Sequence, residues 1–429
     1  MAGPLKGLKV LDFTTLLPGP YATMMLADLG AEVLRIVSGS RPDLAAFMPP
    51  FLPGTNLSAA MAYLGRGKRC MTLNLKDPRA GGIVRRLIAD YDILIEQFRP
   101  GVMAKFGLDY ETLKTVNPGL IYCSLTGYGQ TGPLSNRAGH DINYLARSGI
   151  MSYSGRKETG PGLPGMQIAD VASGSNNAVI GILAAVVHRQ KTGEGQHVDV
   201  SMTDGVVAFN ALPGAAFLED GTEIGFETGF LNGGSLYDFY ETKEGKFLSF
   251  GGLEPQFFEA FCETIGRPDL IEGSVVPPDL TRVKEEVRAI LKTKTRDAWL
   301  ALFANVDACV EPVLSLGEAL ADPLVSARGM VVEVDLPDGG TVRQLGHPIR
   351  YSATPPEYRA AGCTAGAHTR EVLRELGYRD EEIDDFERTG LFKKFWGRGE
   401  REKAGFVIRG MDGTVPNVIR WFAKSIRKG

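Results

Sequence analysis

The stretch AGHDINY sets His140 beside Asp141, and 30 residues on QIADVASG places Asp170 at the head of a long apolar pattern. Imidazole titrates near neutral pH, and a carboxylate in a cleft is a base or a nucleophile. Together these types can move protons or attack a carbonyl. Glu254, in GGLEPQFFEAF, adds a third candidate. Each has a plainer reading. A lone histidine is a common structural hydrogen-bonder, Asp170 suits a helix N-cap, and Glu254 before Pro255 suits a first helical turn, where the dipole favours an acid. Spacing alone leaves both readings open.

Short β-branched and apolar runs alternate with helical patterns through the first half of the chain. LKVLDF, EVLRI, RCMTLNL, DILIEQF, LIYCSLT and QHVDVSM read as strands. Helical patterns separate them, with Pro20 suited to the first turn of one and Gly30 to its end. This predicts an α/β fold with a parallel sheet covered on both faces. No GxGxxG follows the first strand, so the ordinary dinucleotide fingerprint is missing. After Ile224 the character changes to an aromatic-rich hairpin turning at Lys243-Glu244-Gly245, followed by three helical patterns. A second hairpin turns at Asp338-Gly339-Gly340. The expected division is 1–224 for the alternating α/β part and 225–330 for a smaller α+β domain. Helical patterns return over 331–392, and 393–429 form a basic extension.

The chain has 429 residues, 44% hydrophobic and 23% charged, with net charge −4. That composition is globular and offers no general attraction to nucleic acid or anionic membrane. Five scattered cysteines read as free thiols in a reducing, cytoplasmic compartment, and none has metal-ligand spacing. The N-terminus lacks the apolar core of a signal peptide, and AVIGILAAVV is too short to cross a bilayer. Residues 393–429 carry ten Lys/Arg against three Asp/Glu. There Val415, Val418, Ile419, Phe422 and Ile426 share one face of a basic amphipathic helix. Such a helix docks on its own protein or a second subunit, or meets a membrane surface.

Four long blocks, in order, resemble the class III CoA-transferase (CaiB/BaiF) family. They are LKGLKVLDFTTLLPGPYATMMLADLGAEVLRI, GRGKRCMTLNLKDPRAGGIVRRLI, DILIEQFRPGVMAKFGLDYETLKTVNPGLIYCSLTGYGQTGP and QIADVASGSNNAVIGILAAVVHRQKTGEGQHVDVSM. The resemblance implies a Rossmann-like large domain built from both ends of the chain, 1–224 and 331–392, and an interlocked homodimer acting on an acyl-CoA thioester, with no metal or redox cofactor. It assigns Asp170 as the carboxylate shared by two chemistries. In a transferase it attacks the thioester; in the α-methylacyl-CoA racemase branch it moves the α-proton. AGHDINY is similar to the racemase form of its loop, where transferases usually carry an aromatic residue at the His140 position. The same match puts the backbone N–H of Asp141 at the enolate oxygen. It makes Glu254, from the other subunit, the partner that orients His140. Arg66, Lys68, Arg69 and Arg99 match CoA-contacting positions, as anionic phosphates require. RIVSGSRPD departs from the racemase pattern: Val37 replaces an acid, and the following arginine is missing or displaced to Arg41. The longer segment before GRGKR is similar to the transferases. The resemblance therefore implies an epimerase of 2-methyl-branched acyl-CoA in lipid metabolism, with a CoA transferase as the alternative. Met48, Met61, Met151, Phe51 and Tyr63 read as core packing or as the wall of an acyl channel.

Overall fold

Runs of Val, Ile and Leu with no polar face need apolar cover on both sides, and these runs receive it. In the computed structural model, which describes residues 3–39 and 43–392, they form one six-stranded sheet. Its strands are β1 (Lys9–Phe13), β2 (Glu32–Val37), β3 (Lys68–Thr72), β4 (Ile93–Glu96), β5 (Ile121–Thr126) and β6 (Gln196–Ser201). The spatial order is β3-β2-β1-β4-β5-β6, with every neighbouring pair parallel. Successive side chains point to opposite faces, so Val10 enters one core and Leu11 the other. The first core packs α1 (Pro18–Asp28) and the long helix Asn176–Thr192 on the sheet. The second packs α2 (Ala80–Ile88) on the other face.

Strand order runs outward in both directions from β1 and β4. The carboxyl ends of these two strands therefore flank the crevice where an open α/β sheet takes its ligand. Here Pro18 opens α1, and the Gly19 N–H donates to Gln97 Oε1 just beyond β4 (3.3 Å).

The smaller unit contains the hairpin β7 (Asp238–Glu241) and β8 (Phe247–Phe250), with β9 (Val310–Pro312) on its far edge. Phe250, Phe258, Phe261 and Trp299 make its buried aromatic centre. The second expected hairpin is present as β10 (Val331–Asp335) and β11 (Thr341–Leu345). The chain then returns to the large sheet. The Thr72 N–H donates to Thr369 Oγ1 (3.0 Å), while Val372, Leu373 and Ile383 join the second core.

The apolar helical stretch is longer than its sequence run suggests. Ile168–Thr192 spans 25 residues, enough by length and composition to cross a bilayer. It packs on β5 and β6 beside α1, with one face in the first core and Ile180 and Val187 exposed. Several apolar side chains stay outside both cores, including Ile180, Leu212, Leu218 and Phe239. The amphipathic pattern of 393–429, and Arg41, lie outside the described residues.

Candidate active site

The loop leaving β5 returns to the sheet through Tyr144, which is buried and donates its hydroxyl to Gly139 O (2.6 Å). Gly139 is required at that approach, because a Cβ there would lie 2.6 Å from the Tyr144 ring. The loop ends at His140, the N-cap of α3 (Asp141–Arg147). His140 is fixed by its backbone: its N–H donates to Asn143 Oδ1 (3.0 Å), leaving the residue exposed.

Asp170 comes from the segment Ile168–Ser175, which is a π-helix running into Asn176–Thr192. It is the third residue of that turn, and Gln167 occupies the cap position, so the expected N-cap role does not hold. Wide turns of this kind are frequent at functional sites. Ser175 Oγ donates to Pro18 O (2.7 Å), which brings the turn against the start of α1 at the crevice. The Asp170 N–H donates to Asp141 Oδ1 (2.9 Å). Burial pushes the Asp170 carboxyl up to about 6, the nearby Asp141 charge pushes the same way, and His140 opposes them. The structure thus brings His140, Asp141 and Asp170 into one group. Glu254 stands apart: it is exposed at the start of Pro255–Thr264, and within the single chain no hydrogen bond or ion pair joins it to His140.

The expected phosphate contacts divide. Arg66 is 0% exposed and fully used inside the protein. It holds Asp28 through Nε (2.9 Å) and Nη2 (2.6 Å), and Nη1 donates to Gln344 Oε1 and Leu345 O. Tyr63 and Tyr358 flank its guanidinium. Lys68 is buried too, donating to Pro20 O (2.7 Å) and Thr23 Oγ1 (2.6 Å) beside Asp12 (3.4 Å). Neither head group is open to a phosphate as it stands, because both are enclosed and hydrogen-bonded. Arg69 turns outward to Glu371 and Glu375. Only Arg99 of the four lines an open cleft, with Thr126, Gly127, Arg137 and Gly139.

Arg137 was not anticipated from the sequence; the available signal was a basic residue three positions before His140. Neither Arg99 nor Arg137 has a carboxylate partner among the described residues. Thr126 is 7% exposed at this cleft, and its Oγ1 has no hydrogen-bond partner. These groups suit an anionic, oxygen-rich ligand such as a CoA phosphate. Glu96 lies behind the cleft loop, accepting from the Phe98 N–H (2.7 Å), and burial pushes it up to about 7. A second hollow opens at the end of β2, between Arg35, Asp43, Met61, Cys70 and Cys363, where the Arg35–Asp43 pair is buried. Asp43 also accepts the N–H of Leu16, a non-glycine residue held at φ 62° in the crevice. Met61 lines this hollow, while Met48 and Phe51 are exposed.

A doubly wound sheet, with His140, Asp141 and Asp170 grouped beside the start of α1 and an arginine-lined cleft nearby, is an arrangement suited to an anionic ligand at the carboxyl ends of the strands. The model for CoA-transferase family III matches residues 5–369. The chain is 35% identical over 382 residues to α-methylacyl-CoA racemase from Homo sapiens, covering 88% of this chain and 95% of that protein. It is 36% identical over 386 residues to succinate–glutarate CoA-transferase from Agrobacterium fabrum, covering 87% and 96%. A CaiB/BaiF family crystal structure from Brucella suis superposes with a TM-score of 0.78 at 30% identity, over 88% of this chain and all of that one. The chain therefore belongs to CoA-transferase family III. Its relatives are enzymes of two kinds, racemases and CoA transferases, acting on acyl-CoA chemistry.

Proposed function

We propose that this protein epimerises 2-methyl-branched acyl-CoA thioesters by two-base proton transfer. The observation that carries the reading is the grouping of His140, Asp141 and Asp170 beside the start of α1, where His140 acts on the Asp170 charge. One group removes the α-proton, leaving an enolate; the other returns a proton to the opposite face. The Asp141 backbone N–H, at the start of α3, is the donor assigned to the enolate oxygen. An Asp170 carboxyl raised to about 6 suits a group that must give up and take back a proton near neutral pH. Arg99 and Arg137 would hold a CoA phosphate. The chemistry needs no resident metal or redox group, because coenzyme A is part of the substrate.

A second reading is class III CoA transfer. There an Asp170 oxygen attacks the thioester carbon, the C–S bond breaks, CoA leaves as thiolate, and an acyl-aspartyl anhydride remains. The transferase relative at 36% identity and the long segment before Arg66 support it.

The reading includes a homodimer, in which a second copy covers apolar side chains such as Ile180, Leu212, Leu218 and Phe239. That copy would bring its Glu254 behind His140. It also includes a reducing cytoplasmic setting, supported by five free thiols.

The test is a chiral 2-methylacyl-CoA incubated in deuterated water. Epimerisation predicts α-deuterium incorporation with loss of optical purity, severely reduced in His140→Ala. Transfer of CoA to a free acid without α-exchange, largely preserved in His140→Ala, would replace the first reading by the second.

A further inference from the structure

The first turn of a helix leaves its backbone N–H groups without partners along the helix, and a side chain must supply them. The π-turn Ile168–Ser175 begins after Gln167, whose side chain caps nothing. Asp170, in that first turn, finds its acceptor on another element: Asp141 Oδ1 at 2.9 Å. Asp141 immediately follows His140, which is itself anchored by Asn143 Oδ1. One carboxylate therefore ties the histidine loop to the backbone of the aspartate 29 residues later. We propose that the Asp141 side chain is the positioning group that fixes the spacing and relative orientation of His140 and Asp170.

The same carboxylate places a negative charge beside the Asp170 carboxyl. The charged groups acting on Asp170 are Asp141 and His140, both at the start of α3. The other elements packed on this turn carry Asp28 on α1, Asp204 on the segment Met202–Ala208, His188, Arg189 and Lys191 on the helix Asn176–Thr192, and His197 and Asp199 on β6; none of these is among the charges shifting Asp170. Asp141 thus holds Asp170 and disfavours its ionised form, the second effect adding to burial. Replacement of Asp141 by Asn or Ala keeps the backbone N–H of residue 141, so the side-chain role is separable from a backbone role at the enolate oxygen.

Two variants divide the functions. Asp141→Asn keeps an oxygen acceptor and removes the charge; Asp141→Ala removes both. Amide hydrogen exchange at residue 170 reads the tie directly and does not depend on which reaction the enzyme performs. In Asp141→Ala the amide should exchange at least about tenfold faster. kcat should fall by about ten- to a hundredfold, while KM stays within about twofold. Asp141→Asn should restore most of the protection and much of kcat, with the acid limb of the pH–rate profile moved to lower pH. The kinetic arms rest on the proposed reaction. A wild-type enzyme with neither α-exchange nor CoA transfer would sink that reading, while amide exchange would still decide the positioning role. Native protection of the residue 170 amide in Asp141→Ala overturns the proposal. So does an Asp141→Asn variant as unprotected as Asp141→Ala, because an acceptor at that position would then not be what holds Asp170. An acid limb that stays in place in Asp141→Asn overturns the electrostatic part.

Discussion

Two sets of cations stand at the head of one sheet and behave in opposite ways. On the β3 side, Arg66 and Lys68 are enclosed, and their donors end on Asp28, Gln344, Pro20, Thr23 and Asp12. On the β4–β5 side, Arg99 and Arg137 face a cleft that no carboxylate lines. The first set closes the protein on itself and the second leaves charge for something else to neutralise. An arginine in a family motif is therefore not a ligand contact by virtue of its type; the source of its counter-charge decides.

The comparison is broken most forcefully at Arg66. Arg66→Ala strands Asp28 in the interior, and losing one member of a buried pair costs about 3–5 kcal/mol. Urea unfolding should show that loss, while the folded fraction keeps its affinity for CoA. A variant that kept its stability but lost CoA would assign Arg66 to the cleft set instead.

Glu96 sharpens the contrast from the acid side, since it is buried without the cation that Asp28 has. Its folded-state value, about 7, lies above the ordinary glutamate value. The folded state therefore holds the proton more tightly than the unfolded chain, and stability falls as pH rises from about 4.5 through 7. Glu96→Gln keeps an acceptor for the Phe98 N–H. It should match the wild type near pH 4 and gain up to about 3 kcal/mol at pH 8. Equal denaturation midpoints at both pH values would remove this account.

Arg99→Ala should do the reverse of Arg66→Ala. CoA affinity by calorimetry should weaken about tenfold, with stability changed by less than about 0.5 kcal/mol. The smallest effect belongs to Arg69. Its partners Glu371 and Glu375 are exposed, so Arg69→Ala should cost less than about 1 kcal/mol, and less still at high salt.

What the residues disclosed follows the range of the forces involved. The six strands were legible because burial on both faces writes itself as local apolar runs. The hairpins at Lys243-Glu244-Gly245 and Asp338-Gly339-Gly340 were legible because turn residues are local signals. The grouping of His140 with Asp170 came through resemblance, since neither residue's own surroundings in sequence name the other. The inward position of Arg66 was not readable: its partner Gln344 is 278 residues away. Nor was the π-turn, because the apolar pattern around Asp170 fits an ordinary helix start as well. Glu254 belongs to the unit that the chain builds between the two halves of its second core, and a single copy does not carry it to His140.

That long reach also sets an order of events at the ribosome. Arg66 emerges with β3, yet Gln344 and Leu345 are the 278th and 279th residues after it. At synthesis rates of about 5–20 residues per second, the interval is on the order of 15–60 seconds. Throughout it the nascent sheet has an unfinished edge and a guanidinium with only part of its shell. Thr369, which accepts from Thr72, arrives later still. The last steps of building this sheet therefore wait until Thr369 has been made, 297 residues after Thr72. A chain terminated before Gln344 would carry every residue of the His140–Asp170 pair and still present chaperones and proteases with an open edge.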